Sequence, residues 1–556
     1  MEERRSRLVV MAGLILVGSI LFGASLLGAT GTVYIDQNAD LEYDSGDLPL
    51  SGVVVSDGFT VVVTDETGAY TLETNPEASF IFISIPTGTS PLNGWYQELT
   101  DRERFDFPLE KVVDNSPLVF VQITDTHYAT DKDEFKEAFY DRRMEVLPQG
   151  VFDSLAQEVN EISPDFVMLT GDIVADAKRP PMELVDKWMR YMADDFTSKF
   201  DCPLFAVEGN HDIVRDVEVG KAIYEGYFGP TYYSFNIKGV HFIALDTMWL
   251  SPDGKLTYGP SSATEVSWLK QDLALVDPWT PIVVFCHEPT PSWADTEENA
   301  EVMSILTKAG ITALLNGSWH MNFLLHDRYP FYELVTSAVC GSWWEGEATD
   351  GSEFGYRVFR FNRGRLESIW REIGLHNIEL RQPRQAVVTW DGTLQAEIWG
   401  EAVSASWSLD DGPAQNADVY YNTMWTVAYG NLNFSILTDG YHALKVEFQM
   451  ADGTTVSSER SFYVLNPDID IKEMKSHSDT FLGKMVAAPE LQVRAIMPGE
   501  AISASDGSAT IILSHVPFVV QRGDIIGVVG IYRAHSATLI KPYDPIFFVQ
   551  YTDETK

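Results

Sequence analysis

The sequence predicts a multidomain protein in which an α/β domain is flanked by all-β domains. Its 556 residues are more than one hydrophobic core usually organises. In the middle of the chain, short apolar runs alternate with helical patterns, as they do in α/β domains. On either side, short alternating runs are separated by Gly, Asp and Pro turns, a pattern typical of β-sandwiches and barrels.

The N-terminal segment, residues 1–30, is predicted to be a signal or membrane anchor rather than part of the fold. Arg4, Arg5 and Arg7 precede an uncharged stretch from Leu8 to Leu27. About 20 apolar residues can span a bilayer, whereas the apolar region of a signal peptide has about 7–15. We expect an uncleaved anchor with the body outside the cytoplasm. The alternative is a cleaved signal and a secreted protein.

Residues 31–113 predict a β-sandwich. Alternating runs suggest strands at Ser51–Val55, Thr60–Val63, Ala69–Glu73 and Phe80–Ile85. Before them, oxygen-bearing side chains are spaced as in a calcium loop: Asp36, Asn38, Asp40, Asp44 and Asp47. The Gly and the terminal Glu of an EF-hand are missing. A solvated acidic turn is therefore the alternative to a Ca site at Asp36–Asp47.

Residues 114–375 predict the α/β domain. Short apolar strands alternate with helical patterns, and helices cover the sheets in such a domain. The helical patterns are found at Val151–Ile162, Met182–Lys199, Ala263–Leu275 and Asn299–Ala309.

Two further β domains are predicted after the α/β domain. Residues 376–466 suggest an Ig-like sandwich with strands at Ala386–Trp390, Ala396–Trp399, Asn431–Thr438, His442–Met450 and Ser461–Leu465. Residues 467–556 suggest an OB-like barrel with strands at Leu491–Ile496, Ala509–Leu513, Asp524–Tyr532 and Ala537–Lys541.

Composition argues against nucleic acid as a partner. The net charge is −42, and binding to nucleic acid needs Lys and Arg to neutralise phosphates. Such a surface also repels anionic substrates unless a cation sits in the site. The three cysteines, Cys202, Cys286 and Cys340, form no paired pattern, so neither a disulfide framework nor a thiolate zinc site is expected.

Five polar motifs each follow an apolar run directly. They are Asp125-Thr126-His127, Gly171-Asp172, Gly209-Asn210-His211-Asp212, His287 and Gly317-Ser318-Trp319-His320. Loops that leave the C-terminal ends of strands form the usual sites of α/β proteins. Each motif alone is weak, but five in this order within about 200 residues indicate one site. Carboxylate, imidazole and amide ligands suit Mn, Fe, Zn or Ni without thiolates.

These motifs resemble the calcineurin-like metallophosphoesterase family over residues 118–375. The matching elements are ThrAspThrHis (124–127), GlyAsp (171–172), GlyAsnHisAsp (209–212), His287 and Gly-x-x-His (317–320). The resemblance implies a four-layer α/β sandwich with two facing sheets. It extends to a multidomain subset with an N-terminal β-sandwich and a C-terminal β domain, because AlaValCysGlySerTrpTrp (338–344) is typical of that subset.

The resemblance also implies a role for each residue. A first metal would be held by Asp125, His127, Asp172 and His320. A second would be held by Asp172, Asn210 and His287. His211 would contact the phosphate and protonate the leaving group, oriented by Asp212. Trp343 and Trp344 would line the mouth of the pocket or pack in the core.

Ser318 departs from the family pattern, which is Gly-His-x-His at this place. Its first His is the remaining ligand of the second metal, and serine is a poor neutral ligand. Either the second ion binds more weakly, with water or the Ser318 hydroxyl filling the gap, or the site holds one ion.

The resemblance implies a phosphoesterase that hydrolyses a phosphodiester or a phosphomonoester by attack of metal-bound hydroxide. The alternative is a surface binding or scaffold protein with a degenerate single-metal domain. Retention of His211 with Asp212 favours the enzyme, because a scaffold needs no proton donor. The phosphate ester is the expected partner, together with the membrane. Substrate identity, metal identity and oligomeric state are left open.

Overall fold

The computed structural model describes most of the chain between residues 28 and 538. The described residues are 28–138, 144–214, 219–251, 254–326, 331–348, 350–362, 364–375, 377–382, 387–388, 392–433, 436–438, 440–464, 472, 485–497, 501–505, 507, 510–514, 525–533 and 536–538. They fall into two compact units, one with residues up to 83 and 91–110, the other with residues 84–90 and those from 111 onward.

The first unit consists of two β-sheets around one core. The strands in it or at its edge are β1 (Gly28–Ile35), β2 (Leu48–Pro49), β3 (Val54–Ser56), β4 (Val61–Val63), β5 (Ala69–Glu73), β6 (Phe80–Ile83), β7 (Thr89–Pro91), β8 (Tyr96–Glu98) and β9 (Phe107–Lys111). β1 pairs with β2 and β5 in antiparallel and with β9 in parallel orientation. The other sheet has the order β4-β3-β6-β8. Val33, Val55, Ile83 and Phe107 belong to the shared core.

The acidic loop after β1 binds its own backbone. The carboxylate of Asp36 accepts hydrogen bonds from three backbone amides and that of Asp47 from two, all within residues 36–47. Aspartate side chains commonly stabilise turns in this way. The described residues of this loop contribute to no group of three or more candidate metal ligands. The acidic turn therefore fits the structure, and calcium at Asp36–Asp47 stays a prediction.

The second unit contains the α/β domain. Its strands are β10 (Leu118–Ile123), β11 (Phe166–Thr170), β12 (Leu204–Val207), β13 (Tyr233–Ile237), β14 (Val240–Ala244), β15 (Met248–Leu250), β16 (Leu256–Tyr258), β17 (Ile282–Phe285), β18 (Ala313–Asn316), β19 (Phe323–His326), β20 (Tyr332–Val335), β21 (Gly355–Asn362) and β22 (Arg365–Glu372). Apart from β15 and β16, which pair with each other, they form two mixed sheets, the first in the order β12-β11-β10-β21-β22 and the second in the order β13-β14-β17-β18-β20-β19. β10, β11 and β12 are parallel, as are β14, β17, β18 and β20.

Aromatic side chains join the two sheets face to face. Phe120 of β10 lies 5.5 Å from Phe242 of β14, and Phe166 of β11 lies 5.4 Å from Phe235 of β13, both edge to face. Phe205 of β12 stacks on Phe235 at 3.8 Å. Alternation along a strand points every second residue into this layer. The buried aromatic layer fixes how the strand ends of the two sheets meet.

Helices cover the outer faces. They are α1 (Lys132–Ala138), α2 (Pro148–Ile162), α3 (Met182–Arg190), α4 (Ala222–Phe228), α5 (Ala263–Leu273) and α6 (Glu297–Ala309), with a 3-10 turn at Thr290–Ser292. Phe152 of α2 and Trp188 of α3 pack in the core of the first sheet. On the second sheet, Asp272 of α5 accepts hydrogen bonds from Ser234 (2.6 Å) and from the His241 ring (2.9 Å). The α/β prediction, with β-rich regions on either side, is confirmed.

The helix predicted at Met182–Lys199 is α-helical only as far as Arg190. It continues as a π-helical segment, Tyr191–Phe196, and a 3-10 turn, Thr197–Lys199. The Thr197 hydroxyl donates to the carbonyl of Ala193, and such back-bonding disturbs a regular helix.

Strands after the α/β domain form an eight-stranded sheet and a closed barrel. The sheet contains β23 (Ile378–Gln382), β24 (Val387–Val388), β25 (Gly392–Trp399), β26 (Ala402–Leu409), β27 (Gln415–Tyr421), β28 (Trp425–Leu432), β29 (Gly440–Met450) and β30 (Thr455–Val464). The barrel, in the order β31-β32-β33-β35-β34, contains β31 (Met485–Met497), β32 (Ala501–Ser505), β33 (Thr510–Ser514), β34 (Ile525–Arg533) and β35 (Ser536–Thr538).

Some strand predictions in this region are wrong. A strand was expected at Asn431–Thr438, but β28 ends at Leu432 and residues 436–438 form no strand. β23, β26, β27 and β32 were not predicted. Six of the seven residues of β27 are exposed, so the burial that produces an alternating pattern is absent there.

The predicted anchor lies almost entirely in residues 1–27, outside the described residues. In the part of the chain that the structure describes, no helix has the length and apolar character needed to cross a membrane.

Candidate metal centre

The five polar motifs lie at the C-terminal ends of strands β10, β11, β12, β17 and β18. Backbone hydrogen bonds join the loops that carry them. The amide of Asp125 donates to the carbonyl of Gly171 at 3.0 Å, and that of Gly317 donates to the carbonyl of His287 at 3.0 Å. The motifs therefore converge on one place, as their positions after apolar runs predict.

Two glycines allow these loops to approach so closely. A Cβ added at Gly209 would collide with the backbone and carboxylate of Asp172, and one added at Gly317 would collide with the side chains of Thr124 and Asp125. Glycine is the residue used where backbones approach this closely. The glycine that opens each of these two motifs thus lets the polar residues after it reach the site.

Backbone strain is concentrated at the predicted ligand positions. Positive φ angles occur at Asp125 (52°), His127 (36°), Asp172 (48°), Ser318 (67°) and His320 (49°). A non-glycine residue in this region costs on the order of 1–3 kcal/mol, and such residues cluster at functional sites. The surrounding hydrogen bonds hold these five residues in place against the strain.

Three histidines present the same ring nitrogen to the site. Their Nδ1 atoms lie next to backbone carbonyl oxygens, at 3.4 Å for His127, 2.8 Å for His287 and 2.9 Å for His320. A carbonyl oxygen only accepts, so each Nδ1 carries the proton and each Nε2 presents a lone pair. Metal-binding histidines are oriented in this way.

One group of ligand atoms surrounds the first predicted metal position. The Nε2 of His320 lies 3.1 Å from the Nε2 of His127 and 3.3 Å from Oδ1 of Asp125. The Nε2 of His127 is 3.5 Å from Oδ2 of Asp172. Among the described residues, Asp125 Oδ1 is buried without a hydrogen-bond partner. Two facing lone pairs and an orphaned carboxylate oxygen repel one another unless a cation lies between them.

The second predicted position shares Asp172. The Nε2 of His287 lies 3.4 Å from Oδ2 of Asp172 and, within the described chain, is buried without a hydrogen-bond partner. Asn210 is half-buried in the loop whose next residue, His211, donates its amide to Oδ1 of Asp172 at 2.7 Å. These donors fit two divalent cations that share Asp172, because imidazole and carboxylate groups suit such ions.

Electrostatics within the site also favour cations. Burial lowers the pKa of His287, but the Asp172 carboxylate outweighs this effect and raises it to about 10. Burial raises the pKa of Asp172, whereas the neighbouring His287 and His211 bring it well below its ordinary value. Asp172 thus draws positive charge towards His287, and a bound cation would supply that charge directly.

Ser318 lies near a carboxylate that the sequence interpretation overlooked. Its amide donates to Oδ2 of Asp125 at 3.0 Å, and its hydroxyl is among the groups that lower the pKa of the Glu288 carboxyl. Glu288 is 3% exposed. Burial raises its pKa, although the neighbouring His287 and the Ser318 hydroxyl oppose that shift. The only signal in the sequence was its position directly after His287.

The structure gives Asp212 a different role from the predicted one. Its carboxylate accepts the backbone amides of Ile173, Val174 and Gly209 at 2.8–3.1 Å, so it ties two loops together. The carboxylate that faces the His211 ring belongs to Asp176, whose Oδ1 is 3.4 Å from Nδ1. The prediction that Asp212 orients His211 is therefore corrected, because a buried carboxylate surrounded by backbone amides binds them first.

Of the two tryptophans, Trp343 lies at the site and Trp344 packs in the core, so each takes one of the two roles that the sequence left open. Trp344 is fully buried, and its indole donates to the carbonyl of His127 at 3.2 Å. Trp343 is only partly buried, and its ring centroid lies 4.1 Å from that of His127, 4.7 Å from His320 and 5.1 Å from His211. Trp343 thus packs over the histidines of the site.

Cys340 lies behind His320. Its sulfur is 3.8 Å from Nδ1 of His320, and it forms a group of potential ligands with His320 and His127. Since Nδ1 bonds to a carbonyl and Nε2 faces the site, Cys340 supports the ring from its far side. Burial raises the pKa of the Cys340 thiol, which disfavours the thiolate needed for metal binding.

The fold and donor set define a class of α/β proteins with a mixed histidine–carboxylate centre for divalent metal ions. Residues 118–322 match calcineurin-like phosphoesterase, and residues 38–112 match the N-terminal domain of calcineurin-like phosphoesterase. The chain belongs to the calcineurin-like phosphoesterase family.

Curated relatives are phosphatases and phosphodiesterases. Purple acid phosphatase 15 of Arabidopsis thaliana is 32% identical over 158 residues, which are 24% of this chain and 27% of that protein. Serine/threonine-protein phosphatase CPPED1 of Bos taurus is 27% identical over 207 residues, 33% of this chain and 62% of its own length. A cAMP/cGMP dual specificity phosphodiesterase of Mycobacterium tuberculosis is 26% identical over 174 residues, 30% and 52% respectively. The chain thus spans less than two thirds of each.

Proposed function

We propose that this protein is a metal-dependent hydrolase of phosphodiesters or phosphomonoesters. The observation that carries the proposal is the set of three buried imidazole Nε2 atoms, oriented by backbone carbonyls, that converge on Asp125 and Asp172. Divalent ions such as Mn, Fe, Zn or Ni, when bound there, would activate water and polarise the phosphoryl oxygens.

His211 is the proposed proton donor to the leaving group. Its side chain is 16% exposed at the edge of the site, and its backbone amide is bonded to Asp172. Asp176 faces Nδ1, so Nε2 is the nitrogen that exchanges a proton with the departing oxygen. Asp176 is therefore a positioning residue, and Asp212 supports the loop that carries His211.

Trp343 is proposed to select the organic part of the substrate. It packs against the imidazoles of His127, His211 and His320 and is partly exposed, so a leaving group bound next to His211 would touch the indole. Stacking of aromatic rings contributes about 0.5–1.5 kcal/mol beyond area burial. We therefore expect a preference for esters with an aromatic or apolar leaving group.

The alternative, a scaffold with a degenerate site, is less well supported. A scaffold without catalytic activity would have no need to hold Asp176 and His211 together beside the metal ligands. We further propose an anchor at residues 1–30 with the body outside the cytoplasm, and domains at 31–113, 114–375, 376–466 (Ig-like) and 467–556 (OB-like).

The test is hydrolysis of bis(p-nitrophenyl) phosphate and p-nitrophenyl phosphate by chelator-treated protein reconstituted with Mn, Fe, Zn or Ni. We expect hydrolysis of at least one ester with at least one metal, and its loss in Asp172→Ala. Failure with both esters and every metal would contradict the proposal.

A further inference from the structure

The candidate ligands of each metal position come from both sheets of the α/β domain. Those that follow strands β10, β11 and β12 of the first sheet are Asp125, His127, Asp172 and Asn210. Those that follow β17 and β18 of the second sheet are His287 and His320. The spacing of the ligands therefore depends on how the carboxyl ends of the two sheets are held against each other. Hydrophobic burial between the sheets has no preferred direction, so polar contacts supply the directional part of this hold.

The side chain of Gln122 joins the two sheets close to the ligands. It lies on β10 and is fully buried. Its amide nitrogen donates to the hydroxyl of Thr170 on β11 at 2.9 Å and to the carbonyl of Asn316 on β18 at 3.0 Å. Its amide oxygen accepts the hydroxyl of Thr336, which follows β20, at 2.7 Å. Because a carbonyl oxygen only accepts, the nitrogen of Gln122 must face Asn316, which fixes the orientation of the amide.

Two of these hydrogen-bond partners lead to metal ligands. The carbonyl of Thr170 accepts the Nδ1 hydrogen of His287 at 2.8 Å. Asn316 is two residues before Ser318, whose amide donates to Oδ2 of Asp125 at 3.0 Å. Ligand distances in a metal site are held to within about 0.2 Å, so even a small displacement of either partner would reach the ions.

We infer that Gln122 is a positioning residue of the metal centre: its amide sets the separation of the ligands that the two sheets contribute. This inference rests on the proposed function only in assuming that the site holds two divalent ions. It concerns the affinity and the spacing of those ions. Gln122 itself is not a ligand, because both ends of its amide are engaged in hydrogen bonds.

The experiment is titration of the chelator-treated full chain with Mn²⁺, followed by calorimetry and by the EPR signal of coupled Mn pairs. Gln122→Met keeps the length of the side chain and removes its three hydrogen bonds. We expect the wild type to bind two ions with a coupled signal. The variant should bind them at least tenfold more weakly, with an altered coupling at saturating Mn²⁺. Because the coupling depends on the distance between the ions, a loss of stability alone would not alter it.

Ser234→Ala is the matched control. Ser234 is 1% exposed on β13, and its hydroxyl is hydrogen-bonded to Ser84 at 3.0 Å and to Asp272 at 2.6 Å. Neither partner lies in a loop that carries a ligand. The substitution should lower the unfolding temperature of the metal-free protein and leave the affinity and coupling of the ions unchanged.

A second variant keeps the test decisive if Gln122→Met does not fold. Thr336→Val removes only the hydrogen bond to the amide oxygen of Gln122 and should weaken the binding of the ions about threefold. Thermal unfolding of the metal-free forms measures the stability of every variant.

The outcomes distinguish the two proposals. Wild-type affinity and coupling in Gln122→Met, or in Thr336→Val where Gln122→Met does not fold, would overturn the inference and leave the proposed function intact. An equal loss of affinity in Ser234→Ala would also overturn it, because the effect would then follow stability alone. So would a wild type that binds one ion and still hydrolyses phosphate esters. A wild type that binds no metal and hydrolyses nothing would overturn both proposals.

Discussion

At the scale of single residues, the ring of His211 faces Asp176 across 3.4 Å. If His211 donates a proton to the leaving group, its replacement by Asn should lower kcat by about 10²-fold or more for an alkyl phosphate ester. The loss of kcat should be much smaller for a p-nitrophenyl ester, because p-nitrophenolate leaves without a proton. Asp176→Asn should also lower kcat more for the alkyl ester than for the p-nitrophenyl ester, but by a smaller factor than the His211 variant. Steady-state kinetics over a series of leaving groups measures this, with exposed Asp195→Asn as the control. Equal losses for both leaving groups would exclude the role of His211.

Glu333 is a second residue with a measurable signature. Its carboxylate accepts hydrogen bonds from the Thr290 amide, the Thr290 hydroxyl and the Asn316 amide group, but burial raises its pKa to about 7. In the unfolded chain a Glu titrates near 4.3. The folded state therefore binds the extra proton between about pH 4.3 and 7, and stability falls as the pH rises through that window.

Glu333→Gln should remove that loss, which amounts to about 4 kcal/mol for the full shift and to about 3 kcal/mol between pH 5 and pH 8. Denaturant unfolding at pH 5 and pH 8 measures it. The difference in unfolding free energy between the two pH values should be smaller in the variant by that amount. An identical pH dependence in both proteins would show that Glu333 is ionised throughout.

The residues of the site were predictable from the sequence to different degrees. Asp125, Asp172 and His287 follow apolar strands, so their place at the strand ends could be read directly. Asp176 could not be assigned, because its role depends on which loop lies opposite. Asp212 was given the wrong contact, since adjacency to His211 in the chain does not determine where a side chain points.

At the scale of elements, Lys221 stabilises the loop between β12 and α4, which carries the 209–212 motif. Lys221 forms ion pairs with Glu208 at 2.5 Å and with Asp246. Burial lowers the pKa of Lys221, but Asp246 and Glu208 outweigh it and raise it above its ordinary value. Both ends of the loop are therefore tied to the second sheet through this side chain.

Lys221→Met should lower the unfolding free energy by about 3–5 kcal/mol, because it leaves buried carboxylates without their partner. The matched control is Lys270→Met, which breaks the exposed Lys270–Glu301 pair (2.6 Å) and should cost less than about 1 kcal/mol. Denaturant titration of both variants measures the difference. Similar losses would mean that the Lys221 pair is no stronger than one at the surface.

Elements were predicted best where burial imposes a pattern. β10, β11 and β12, which enter the aromatic layer from the first sheet, are continuous apolar runs and were predicted. β13 and β14, which enter it from the second sheet, were not. β27 was missed because its exposed residues show no alternation of apolar and polar side chains. The α-helix was predicted to continue beyond Arg190 because Met192 and Phe196, buried in the π-helical segment, keep the apolar spacing of the preceding helix.

At the scale of the whole molecule, the α/β domain and the following eight-stranded sheet share a core. Trp425 of β28 is 1% exposed and belongs to the same apolar cluster as Val358 and Ile369 of the first sheet. Short motifs could not predict this contact, because it joins residues far apart in the chain. It implies that the two parts stabilise each other.

Trp425→Ala should therefore destabilise the catalytic region as well as the sheet, by about 3–5 kcal/mol. Tyr420→Ala, on the neighbouring strand and 60% exposed, is the control and should have little effect. Unfolding followed by circular dichroism and by loss of metal should show the same shift in Trp425→Ala. Loss of metal at the wild-type midpoint would show that the sheet unfolds independently.

The central claim is that the strand-end loops form a two-metal centre that hydrolyses phosphate esters. The most direct measurement is the rate of bis(p-nitrophenyl) phosphate and p-nitrophenyl phosphate hydrolysis as Mn²⁺ is added to chelator-treated protein. The account predicts that the rate rises with the metal-to-protein ratio and levels off near two equivalents. A rate that is absent at every ratio with either ester, or unchanged in Asp172→Ala, would contradict it.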